Sequence, residues 1–112
     1  MLSFQKLDVY RCAVEFVALA VAMAAQIPRG SADLRDQLRR AAFSVPLNIA
    51  EAAGRASKAD AARHYSIARG SAVECAAVLD ILRTINGIQE QQHRLATDLL
   101  GRIVAMLTKL CR

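Results

Sequence analysis

The stretch QLRRAAFSVPLNIAEAAGR, residues 37–55, decides how this chain is read. Leu38, Val45, Ile49 and Ala52 recur at helical spacing and place one apolar line on a helix. Gln37, Arg40, Ser44, Asn48, Glu51 and Arg55 follow in steps of three and four and form a polar line beside it. Pro46 falls in mid-run. Its ring removes the hydrogen bond to the Ala42 carbonyl, which kinks an ordinary helix interior at a cost of about 3 kcal/mol. Ser44 and Asn48 flank the proline, and either side chain or a water can satisfy the freed backbone groups.

Outside this helix the punctuation falls at three places. In IPRGS, residues 27–31, Pro28 stops one helix, and Ser31 is the expected N-cap of the next, with Asp33 in its first turn. In GRAS, residues 54–57, Gly54 sits where a left-handed C-terminal residue belongs, and Ser57 with Asp60 resembles a capping box. Asn86-Gly87 closes the third segment. Helices are therefore expected at about 3–27, 32–53, 58–86 and 89–111, in one domain spanning residues 1–112.

Each segment repeats apolar residues at helical steps: Leu7, Tyr10, Val14, Val17 and Val21; Leu34, Leu38, Val45, Ile49 and Ala52; Tyr65, Ala68, Cys75, Leu79 and Leu82; Leu95, Leu99, Ile103, Met106 and Leu110. One stripe per helix and short connections predict an all-α, antiparallel up-down-up-down four-helix bundle. The first helix carries Phe16, Leu19 and Met23 off its stripe, and the third carries Ile67, Val78, Ile81 and Ile85. Helices apolar around most of their circumference are buried on more than one side, so this surplus predicts a homo-oligomer.

The totals agree with a folded helical domain: 112 residues, 54% hydrophobic and 22% charged. Three cysteines, Cys12, Cys75 and Cys111, are too few and too irregularly spaced for a disulfide framework or a zinc site. A reducing, cytoplasmic setting is the expectation. The N-terminus has the outline of a secretory signal, but Asp8 and Glu15 interrupt it. The apolar run after Glu15 is about ten residues, against roughly 20 for a membrane span, so a buried helix and no membrane association are expected.

The net charge of +5 is concentrated: eight of the 15 basic residues lie between 29 and 69, against four acidic ones. Arg29, Arg35, Arg39, Arg40, Lys58 and Arg63 form a candidate basic surface for RNA or DNA. Few aromatic residues are available to interleave, so recognition would rest on phosphates and depend on salt. The competing reading is a solvated face with Asp36 paired to Arg40. Glu51, Arg55, Arg69 and Glu74 are candidates for an ion network between the second and third helices, where Gly70 and Ser71 would allow close approach.

These motifs carry a resemblance. QLRRA (Gln37 to Ala41), SVPLNIAE (Ser44 to Glu51), Gly54-Arg55, ARGS (Ala68 to Ser71) and Glu74 resemble the pattern of four-helix-bundle proteins encoded in intervening sequences of large-subunit (23S) ribosomal RNA genes. That family is related to the accessory variability proteins of diversity-generating retroelements. Ala52 departs from the pattern, which has glycine there. The resemblance spans essentially the whole chain. It implies a ring, commonly a pentamer, and binding of nucleic acid and of a reverse transcriptase through a basic surface.

Signs of catalysis are sparse. His64 and His93 lie on different helices without ligand spacing, and read as surface or packing residues. Glu51 and Glu74 each have an arginine nearby, which favours permanent ionisation over proton transfer. Cys75 reads as inert core. No phosphate loop, dinucleotide fingerprint or nucleophile elbow occurs. No metal or cofactor is expected. The reading is a non-enzymatic, oligomeric nucleic-acid-binding accessory protein, and the alternative is a protein-protein scaffold.

Overall fold

Four helices make up most of the chain: α1 (Asp8–Ala24), α2 (Ala32–Ala53), α3 (Lys58–Thr84) and α4 (Glu90–Leu110), with no strand. The computed structural model describes residues Met1–Arg112. Connections at 25–31, 54–57 and 85–89 are short enough to make sequence neighbours antiparallel. α1 packs on α2 and α4, and α3 packs on α2 and α4, while the diagonal pairs do not meet. The result is a bundle of 44 × 25 × 22 Å, not much longer than α3, its longest helix, at about 40 Å.

The helix ends follow local chemistry. Ser57 caps α3 by accepting from the Asp60 backbone N–H at 3.0 Å. The capping box is half-formed, because the Asp60 carboxylate turns to Arg63 and Arg55 instead. At the other end of α3, the Gly87 N–H donates to the Leu82 carbonyl at 2.7 Å and the Asn86 N–H to the Arg83 carbonyl at 3.2 Å. This is a Schellman closure, and Asn86 holds its left-handed position at φ 60°.

Gly54 does not hold such a position. Its φ is −89°, so α2 ends in right-handed geometry and any residue could adopt that backbone. Ser31 precedes α2 without a capping bond from its hydroxyl, because residues Arg29–Ser31 already wind as a 3-10 turn. Asp33 is in the first turn of α2 as expected. α1 starts at Asp8 rather than at residue 3. Ser3–Lys6 is a separate 3-10 turn, and Leu7 between them is extended (φ −69°, ψ 132°).

One continuous core fills the bundle, with Phe16, Leu38, Ile49, Leu79, Leu82, Leu100, Ile103 and Leu107 fully buried. Alanines 41, 42, 68 and 72 are also buried, and their small side chains let α2 and α3 make the most extensive contact in the molecule. Pro46 is buried within α2, which runs as one helix through it.

The stripes of α2 and α3 face inward largely as expected. That of α1 does not. Val9, Cys12, Ala13, Phe16, Ala20, Met23 and Ala24 form its buried face, whereas Leu7, Tyr10, Val17 and Val21 are half-buried and Val14 is 45% exposed. Phe16 and Met23, assigned off the stripe, are core. α4 likewise buries Ala96, Leu100 and Leu107 with Leu99 and Ile103, and leaves Leu95 and Leu110 exposed. On α3, Val78 joins the core while Ile67, Ile81 and Ile85 remain exposed.

The seam between α1 and α4 is the loosest. It is lined with three open clefts of about 400, 320 and 240 Å³. Asp8, Arg11, Glu15, Asp98 and Arg102 stand along it, with a long contact from Arg102 Nη2 to Cys12 Sγ at 3.7 Å.

Truncating Phe16 to Ala should destabilise the fold by about 3–5 kcal/mol, whereas Val14→Ala should cost the isolated bundle far less. Urea unfolding of both variants checks this. Equal costs would mean that the inward face of α1 is misassigned.

Candidate functional site

The polar line of α2 meets α3 in a chain of hydrogen bonds. Ser44 Oγ lies 2.8 Å from Ser71 Oγ, and Asn48 Nδ2 donates to the Ser44 carbonyl at 2.9 Å and to its hydroxyl at 3.0 Å. The Asn48 Oδ1 is 3.3 Å from His64 Nδ1, and Arg63 Nη2 is 3.2 Å from His64 Nε2. A guanidinium only donates, so His64 Nε2 is the acceptor and Nδ1 carries the proton. Nδ1–H then donates to Asn48 Oδ1, which agrees with an amide whose nitrogen points at Ser44. Donors and acceptors match along the whole line from Arg63 to Ser44, and no buried side-chain polar atom is left without a partner.

His64, only 8% exposed, is the buried polar residue of the core and belongs to this line. Treating it as an isolated histidine missed that role. The signal was present: α2 and α3 are antiparallel about the 54–57 turn, and Asn48 and His64 lie about equally far from it. The Asn48 side chain braces its own helix at Ser44, and neither it nor Ser44 reaches the Ala42 carbonyl beside Pro46.

The expected ion network of Glu51, Arg55, Arg69 and Glu74 does not form. Arg55 pairs with Glu51 at 2.9 Å and with Asp60 at 3.6 Å, and Asp60 pairs with Arg63 at 3.2 Å, all around the α2–α3 turn. Arg69 points the other way and donates to Thr108 Oγ1 of α4 at 2.8 Å. Glu74 is exposed and has no ionic partner. Gly70 is exposed too, and a Cβ added there would meet nothing within 4 Å, so no helix of this chain uses the space it leaves.

The six basic candidates separate into two groups. Arg29, Arg35, Arg39 and Arg40 lie at the start of α2 and in the turn before it. Lys58 and Arg63 lie at the start of α3, by the far end of α2, a helix about 33 Å long. Arg35 pairs with its neighbour Asp36 at 3.3 Å, so the expected Asp36–Arg40 pair is not made. The Arg39 guanidinium lies over the Phe43 ring, 5.4 Å from its centroid. Arg29, Arg39, Arg40 and Lys58 take part in no ion pair.

An apolar groove of about 350 Å³ separates α1 from α2. Phe4, Tyr10, Val14, Val17, Phe43, Pro46, Leu47 and Ala50 line it. Phe4 closes one end by an edge-to-face contact with Tyr10 at 5.0 Å and 87°. Leu47, 64% exposed, stands at its outer rim.

Catalytic constellations are thin. No three His, Cys, Asp or Glu side chains gather where they could hold a metal ion. Cys75 is completely buried, and burial, with Glu74 beside it, pushes its thiol up to about 12. The thiol therefore stays protonated and unreactive at neutral pH. No helix is long and apolar enough to cross a membrane.

Known proteins share this architecture. The family model described as 23S rRNA-intervening sequence protein matches residues 5–109. A solved structure from Bacteroides thetaiotaomicron, described as a protein of unknown function from the S23 ribosomal protein family, superposes with a TM-score of 0.86 at 23% identity. The match covers 93% of this chain and 98% of that one, and shows a common fold. Functionally curated proteins gave no match.

Asn48→Ala should cost about 1–3 kcal/mol, because it strands the His64 N–H and removes the brace on Ser44. Chemical denaturation against Asn48→Asp and wild type measures it, and a neutral Asn48→Ala would show the chain of bonds to be dispensable. For Cys75, the folded thiol titrates near 12 against an ordinary 9.0. The unfolded state therefore loses this proton first, and its contribution to stability, complete below pH 9, declines as pH rises toward 12. Stability curves of wild type and Cys75→Ala should run parallel below pH 9 and converge or cross above it.

Proposed function

Because the chain belongs to the 23S rRNA-intervening sequence protein family, we propose that it is a non-enzymatic, self-assembling bundle that binds nucleic acid as an accessory protein. The observation that carries this reading is the run of Arg29, Arg35, Arg39 and Arg40 in the turn before α2 and its first half, three of whose cations have no carboxylate partner in the chain. Such a cluster suits phosphates. Its aromatic neighbour Phe43 is occupied by Arg39, so stacking on bases adds little and the binding is insensitive to sequence.

A single subunit offers only a few phosphate contacts, which makes weak binding. Assembly into a ring, a pentamer by family resemblance, repeats the cluster and raises avidity. Lys58 and Arg63 lie too far along the bundle to join the same contact, and Arg63 is already engaged with Asp60 and His64. They are better understood as a separate feature of the α2–α3 turn. A reverse transcriptase is the protein partner that the resemblance to the accessory variability proteins of retroelements suggests.

The protein-scaffold reading has its own support in the exposed apolar groove between α1 and α2. The two readings separate in one titration. Fluorescent single- and double-stranded RNA and DNA should bind with an affinity that falls steeply with salt, and on duplex DNA each neutralised phosphate should add about 0.9 to the logarithmic slope. Arg35→Glu combined with Arg39→Glu should abolish binding with an unchanged helical circular dichroism spectrum. A double variant that binds like wild type would overturn the site, and wild type that ignores every nucleic acid would favour the scaffold.

A further inference from the structure

The molecule exposes two apolar surfaces that match each other better than either matches solvent. One is the α1–α2 groove, where Tyr10, Val14, Val17, Phe43, Leu47 and Ala50 form a concave trough. The other is a row on the outer side of α3. Ile67, Gly70, Glu74, Ala77 and Ile81 follow steps of three and four, the spacing of a seam that meets another helix. All five are exposed, Ile67 by 41% and Ile81 by 48%. Nothing within the chain packs on Gly70. Small residues at 70 and 77 allow a close approach that the bundle itself does not use.

Charge selects the partner. Glu74, in the middle of the α3 row, has no counter-ion within its own chain. Arg40, on the outward side of α2 beside the groove, has none either. An unpaired anion inside one apolar surface and an unpaired cation beside the other are complementary.

The register agrees. Glu74 stands seven residues from both Ile67 and Ile81, about 10 Å along the helix, and Arg40 stands seven residues from Leu47. When Glu74 faces Arg40, an isoleucine therefore reaches Leu47 at the mouth of the groove, whichever way the helix runs.

We propose that the α3 row of one copy of this chain seats in the α1–α2 groove of a second copy, with Glu74 of one subunit paired to Arg40 of the next. The two surfaces differ, so the contact is head-to-tail and closes into a ring when the rotation permits. This inference rests on the self-assembly reading and specifies its interface. With Arg40 drawn into the ionic pair, the phosphate contact in the ring rests on Arg29 and Arg39, with Arg35 alongside in its pair with Asp36.

The test is a charge swap read by light scattering and sedimentation at several protein concentrations, with circular dichroism as the folding control. Glu74→Arg and Arg40→Glu should each weaken assembly at least about tenfold, through like charges placed face to face. The double variant should restore the wild-type particle. Lys58→Glu, at the far end of α2, should leave it unchanged. Single variants that assemble like wild type, or a double variant that fails to recover, overturn this interface while leaving self-assembly standing. A wild-type monomer at every concentration overturns both, and assigns the groove to a different occupant.

Discussion

The α2–α3 seam is the constraint on which the rest of the bundle depends. Its alanines bring the two backbones together, and that closeness buries His64 and half-buries the other polar side chains between them. Ser44, Asn48, His64 and Ser71 bond to one another there: donors and acceptors run in one order from Arg63 through His64 and Asn48 to Ser44, whose hydroxyl shares a further bond with that of Ser71. A slip of one helix past the other would strand several of these groups at once. Apolar packing tolerates small shifts, whereas a half-buried hydrogen-bond chain, which depends on direction, tolerates them less. The register of α2 on α3 then fixes where α1 and α4 lie.

The same seam shows what a sequence can and cannot disclose. The three turns, the four helices and the antiparallel order follow from Pro28, Ser57 and Asn86-Gly87, whose chemistry is local, whereas the left-handed role expected of Gly54 is not taken up. The inward face of α1 does not follow. That helix has two apolar faces of similar regularity, and the bulkier row from Tyr10 through Val14 to Val17 is the outer one. Its core side relies on Ala13, Ala20 and Ala24 around Phe16, a face that looks weaker by hydrophobicity and wins because helices approach most closely through alanine. Periodicity identifies a face, but the neighbours decide which face is inside.

Charge was legible in amount and illegible in arrangement. The excess between residues 29 and 69 is real, yet the turn at 54–57 folds that segment back, and helix length carries Lys58 away from Arg35. The line Glu51, Arg55, Arg69 and Glu74 shows the same limit. Helical spacing places these residues near the α2–α3 seam, while side-chain reach sends Arg55 to Asp60, Arg69 to Thr108 and leaves Glu74 to solvent. The motif that carries the family resemblance is thus only partly a core motif. Ser44, Pro46, Asn48 and Ser71 serve the bundle, and Gly70 and Glu74 face away from it.

The open clefts between α1 and α4 bear on how the chain folds. Every other seam joins helices adjacent in sequence through a short turn, so those contacts can form early at little entropic cost. Only the α1–α4 seam brings the two ends of the chain together, and it is also the least closely packed. It therefore has the least enthalpy to gain and the largest loop to close. Loop-closure cost and loose packing together favour assembly hairpin by hairpin, with this seam the last to close. The same balance makes this seam the weakest point against thermal opening, a fluctuation that would expose the backs of the two terminal helices and leave the α2–α3 pair closed.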